Sequence, residues 1–133
     1  MGRYYNGDID GKFWFAVQSS NAADRFGSTG YEPSYINYSF DKSHIPTINK
    51  ELTSIEKQIP IKILDKFFNQ VQSYTNEKVA DFCESEGFDM PIDKDLKAKV
   101  VEDWLREYAD YELGKKILKC VEENDYCDFE AEL

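Results

Sequence analysis

The chain has 133 residues, 41% of them hydrophobic and 15% aromatic, and a formal net charge of −10 at pH 7. That length fits a single domain spanning 1–133, and nine Tyr, nine Phe and two Trp supply a core and exclude a disordered chain. The charge is lopsided: residues 1–76 hold eight acidic and eight basic side chains, whereas residues 77–133 hold eighteen acidic and eight basic. Such an excess repels nucleic acid and attracts a basic partner.

In chain order, the N-terminus reads as a hairpin. Tyr4-Tyr5 and the run from Lys12 to Gln18 flank Asn6-Gly7-Asp8-Ile9-Asp10-Gly11, a loop dense in turn residues. Five consecutive apolar residues, Phe13 to Val17, predict a strand covered on both faces and hence central in its sheet. Ser19-Ser20-Asn21 caps a short helix through Arg25, which Gly27 stops, and Gly27-Ser28-Thr29-Gly30 reads as a connector. A strand follows near 35–40, with Ile36, Tyr38 and Phe40 on one face and Tyr35, Asn37 and Ser39 on the other.

Pro46 suits a first helical turn. Ile48, Leu52, Ile55 and Ile59 then mark the apolar stripe of a helix that Pro60 ends or kinks. Ile61, Leu64, Phe67, Phe68 and Val71 continue in a second helix, and Thr75 caps a third, closed by Gly87. The longest helix is expected from about Asp93 to Glu123. Gly114 lies inside it, at a cost of ~1 kcal/mol relative to Ala, which predicts a bend or a close contact there. Asn124-Asp125 turns into a last strand near 126–132, with Cys127, Phe129 and Ala131 on one side and Asp128, Glu130 and Glu132 on the other. The fold that buries these stripes is α+β. It has a small antiparallel sheet of three to four strands, built from the N-terminal hairpin, the strand near 35–40 and the C-terminal strand, with helices packed on one face.

Two acidic rows carry the main functional expectation. Asp103, Glu107 and Asp110 share one face of the long helix and are expected to stand without an obvious neutralising basic neighbour, and like charges so placed destabilise a helix by ~0.2–0.5 kcal/mol per pair. Asp128, Glu130 and Glu132 repeat every ~7 Å along the last strand. Together they predict an acidic interaction protein that binds and blocks a basic, nucleic-acid-binding partner by imitating a phosphate backbone, without itself touching nucleic acid. In size and acidity the chain is similar to small accessory proteins of phages and large viruses, a likeness that rests on no motif.

A second class of function is a small-molecule or nucleotide binder. Tyr4, Tyr5 and Trp14, with Tyr31, Tyr35 and Tyr38, offer stacking surfaces near the cations Arg3, Lys12 and Arg25. An enzyme with an unrecognised carboxylate site is third. Asn6-x-Asp8-x-Asp10-Gly11 opens like a calcium loop but reaches Val17 where the closing Glu belongs, so it reads as a turn. His44, the only histidine, reads as a capping or surface residue, and Cys83, Cys120 and Cys127 as reduced, mostly buried thiols. No metal or cofactor is expected. With no apolar run near the ~18 residues of a membrane span and no signal-peptide pattern at the start, the expected compartment is the cytoplasm.

Overall fold

The computed structural model describes residues 3–14, 17–27, 35–71 and 73–132. Four antiparallel strands, β1 (Tyr4–Gly7), β2 (Gly11–Lys12), β3 (Tyr35–Asp41) and β4 (Tyr126–Glu132), form one sheet in the order β2-β1-β4-β3. Four helices, α1 (Ile45–Gln58), α2 (Ile61–Gln70), α3 (Asn76–Ser85) and α4 (Lys94–Asn124), complete the α+β fold. The last strand is thus central: Tyr5 faces Ala131 on one side of β4 and Ile36 faces the same residue on the other.

The period-2 pattern decides which face is covered. Tyr5, Ile36, Tyr38, Phe40, Cys127, Phe129 and Ala131 point into the core, where Phe129 stacks 5.2 Å from Tyr38. Tyr4, Asn6, Asn37, Ser39, Tyr126, Asp128 and Glu130 remain exposed on the opposite face.

The run from Phe13 departs from expectation. The second strand is only two residues long and lies at the sheet edge, because Phe13 and Trp14 serve different cores. Phe13 packs 5.0 Å from Tyr5 in the core beneath the sheet. Trp14 leaves the sheet to join Phe68, Tyr74 and Tyr108, with centroids 5.5–6.0 Å away. Val17 and Gln18 then turn back, donating their backbone N–H groups to the Trp14 carbonyl. Phe15 and Ala16 lie outside the described residues, as do Ser28, Thr29 and Gly30 of the expected connector.

The helix starts follow from local chemistry. Thr75 accepts from the Lys78 N–H and Asp93 accepts from Asp95 and Leu96, so each satisfies donors the helix leaves open. The short helix Ala22–Phe26 is a 3₁₀ helix, ended by Gly27. At 31 residues α4 is ~47 Å long and lines both cores. Val101, Trp104, Leu105 and Tyr108 pack with Ile55, Leu64, Phe67 and Val79, whereas Leu113, Ile117 and Val121 pack beneath the sheet. Gly114 is the close-contact site that its position predicts. A Cβ there would lie 2.5 Å from Phe26 Cε1 and 2.9 Å from Leu52 Cδ2. Gly7 (φ +142°) likewise has the Asp128 carbonyl oxygen and Phe129 Cα 2.6 Å from where its Cβ would sit, so β1 closes on β4 only through a glycine.

Candidate functional site: the carboxylates of α4 and of the open sheet face

The α4 row is not a free acidic surface. Arg25, projecting from the 3₁₀ helix, reaches between α1 and α4 and donates to Glu51 (2.8 Å), Glu107 (2.7 Å) and Asp110 (2.8 Å). Asp110 is 7% exposed and also accepts from Gln18 Nε2 at 2.9 Å. Burial pushes its carboxyl above the usual range against the pull of Arg25 and Gln18. Burial also works to lower the Arg25 pKa, but its three carboxylate partners outweigh that and hold the guanidinium above its ordinary value. The third member, Asp103, is exposed and sits 3.7 Å from Arg106, which also lies 4.0 Å from Glu102. The expectation that this row lacks basic neighbours is therefore corrected. The cation that balances Glu107 and Asp110 comes from more than eighty positions away, where helix spacing gives no sign of it.

The strand row is placed differently. Asp128 and Glu130 stand on the uncovered face of β4, on the wall of a shallow depression shared with Asn6, Asn37 and Ser39. Across the strands, Glu130 is opposite Asn6 on β1 and Asn37 on β3, and Asp128 is opposite Ser39. Ser39 Oγ donates to Asp128 at 2.6 Å. Among the described residues, neither Asp128 nor Glu130 has a Lys or Arg within ion-pair distance, and no basic side chain lines the depression. The backbone of Glu132 completes β4; its side chain lies outside the described residues.

Asp8 is drawn into the same end of the sheet. Its N–H donates to the Asp128 carbonyl and its carboxylate accepts from the Asp128 N–H, both at 2.8 Å. Asp8 thus works as a clip closing the first hairpin onto β4, as expected of a turn. His44 caps: its Nδ1 accepts from the Asp41 N–H at 3.0 Å, and its ring stands edge-on to Phe40.

The small-molecule constellation is dispersed. Tyr5 is buried under the sheet, Trp14 belongs to the second core, and Arg25 is held by three carboxylates. Arg3 lies over Phe13 and donates to Ser20 Oγ and the Gln18 carbonyl. Among the described residues of the set, Tyr4 and Lys12 alone meet at the surface, with the ammonium 5.9 Å from the ring centroid. The aromatic face of the sheet is the face the helices cover, which removes it as a stacking platform. Tyr31 and the side chain of Tyr35 lie outside the described residues.

One cluster goes beyond what the sequence pattern singles out. The Tyr108 hydroxyl on α4 donates to Asp65 of α2 at 2.6 Å, with Glu112 one turn further along α4. Burial first, and then Asp65, pushes the phenol far above its ordinary value, and burial raises the Glu112 carboxyl. Tyr108 and Glu112 share a helix face at four-residue spacing, but Asp65 arrives only through tertiary packing. All three cysteines are free and buried, and among the described residues no helix is long and apolar enough to cross a membrane. No known family, curated protein or solved structure matches this chain.

Proposed function

We propose that the chain is an interaction protein that holds a basic segment of a partner, of the kind nucleic-acid-binding proteins present, against the open face of its sheet. The observation that carries this reading is the pair Asp128 and Glu130, two carboxylates on an uncovered strand face with no Lys or Arg in ion-pair reach among the described residues. Alternate residues on a strand are ~7 Å apart, a spacing that Lys or Arg side chains on an extended segment can match. The neighbouring Asn6, Asn37 and Ser39 add amide and hydroxyl groups suited to the rest of such a segment. With Glu107 and Asp110 engaged by Arg25, the footprint narrows to the strand carboxylates Asp128 and Glu130. That is shorter than a mimic of a full phosphate groove. The same reading places the protein in the cytoplasm, where such partners work.

Affinity capture from cell extract, at low and high salt, tests it. A basic partner should be retained at low salt and released at high salt, since surface charge contacts are screened within ~10 Å at 0.1 M ionic strength. The double variant Asp128→Lys/Glu130→Lys should lose the partner while Asp103→Lys keeps it. Undiminished capture by the double variant refutes the proposal.

A further inference from the structure

Cys120, on the last full turn of α4, and Cys127, on β4, both point into the core beneath the sheet. Asp125, in the left-handed region at φ 72°, reverses the chain between them. Cys120 Sγ donates to the Tyr126 carbonyl oxygen at 3.5 Å, so its thiol rests against the peptide that leads into Cys127, whose side chain enters the same core. Their surroundings differ. Cys127 is fully buried, whereas Cys120 keeps 5% of its surface and lines a shallow depression with Asp8, Asp10, Lys116 and Lys119. Asn124 Nδ2 donates to Cys120 Sγ at 3.8 Å. Burial, with Cys120 alongside, raises the Cys127 thiol far above its ordinary value and keeps it protonated. One thiol is therefore reachable from solvent and the other waits behind it. Cys83 sits in the other core, its thiol pushed up to about 11 by burial.

We propose that Cys120 and Cys127 are a redox-active dithiol that closes to an intramolecular disulfide by exchange with a low-molecular-weight disulfide, clipping α4 to β4. The Cys120 thiolate attacks one sulfur of the small disulfide, forming a mixed disulfide and releasing one thiolate. Cys127 then attacks the Cys120 sulfur, expelling the second thiolate, which takes up the Cys127 proton as it leaves. In balance, two protein thiols and one small disulfide become one protein disulfide and two small thiols. The protein is oxidised by two electrons and the small disulfide is reduced by two.

Glutathione disulfide mixed with glutathione at graded ratios is the probe, on the full chain. After acid quench and alkylation, cleavage following Lys119 places Cys120 and Cys127 on one peptide and Cys83 on another. The expected product is a Cys120–Cys127 peptide lighter by two hydrogens and closed to alkylation, with Cys83 alkylated. The ratio of glutathione species at half-oxidation should favour the disulfide about ten-fold more in folded protein than in urea, and by linkage the oxidised form should melt higher. The variant Cys127→Ala, confirmed folded by circular dichroism, should arrest at a glutathione adduct on Cys120. Equal ratios in the folded and unfolded states, an oxidised form that melts lower, or an adduct on Cys120 that never closes in the unmodified chain would each overturn the proposal.

Discussion

Replacing Arg25 with Met keeps the apolar stem of the side chain and removes the charge that Glu51, Glu107 and Asp110 share. Glu51 and Glu107 have 29% and 27% of their side-chain surface in solvent, so water largely compensates for losing a partner. Asp110 has 10%, and Gln18 alone would remain to bond it. Breaking a fully buried pair costs ~3–5 kcal/mol and an exposed one under ~1. The 26% exposure of Arg25 places this cluster between those limits, so a loss of about 2–3 kcal/mol at pH 7 is expected. The pH dependence identifies the cause. The Asp110 carboxyl already titrates above its unfolded value, and without Arg25 it must move further up. A folded state that binds its proton more tightly than the unfolded state gains stability as pH falls from the folded pKa to the unfolded one. The deficit of Arg25→Met should therefore be largest at neutral pH and shrink towards pH 4. Urea denaturation across that range measures it, and Arg25→Met/Asp110→Asn should recover most of the loss at pH 7. A loss below ~0.5 kcal/mol, the scale of an ordinary surface substitution, or a deficit that does not change with pH would refute this account of the cluster.

Gly114→Ala gains about 1 kcal/mol of helix propensity but drives a methyl group into Phe26, an overpacking worth ~1–3 kcal/mol. A lowered melting temperature is expected, and Gly114→Ala/Phe26→Leu should lose less than the sum of its two parts. Tyr108→Phe removes the hydroxyl that donates to Asp65 and should lower unfolding free energy by ~1 kcal/mol, read by denaturant titration. Asp8→Ala unfastens the first hairpin from β4. Hydrogen exchange at the Asp128 amide should accelerate markedly while the centre of α4 keeps its protection.

Local periodicity was enough for the helices and for the alternation of β3 and β4, because each signal lies within a few residues: the stripe Ile48-Leu52-Ile55, the break at Pro60, the caps at Thr75 and Asp93. The run Phe13–Val17 misled, since two adjacent apolar residues feeding separate cores look the same as a doubly covered strand. The acidic sites divide along the same line. Asp128 and Glu130 stand exposed on the strand as their alternation predicts. Glu107 and Asp110 look equally free on a helical wheel, yet Arg25, Gln18 and the helix packing that joins them are set by tertiary structure. Asp65 and Tyr108 meet for the same non-local reason.

Because β4 lies between β1 and β3, neither of those earlier strands has its main hydrogen-bonding partner until the segment around Phe129 arrives. Such closure over most of the chain is slow compared with helix formation. The helices can assemble first around the core of Leu64, Val79 and Leu105, leaving the Tyr5 and Tyr38 faces waiting. On a ribosome those faces emerge long before their complement, which makes the nascent chain a natural client for factors that shield unpaired strands.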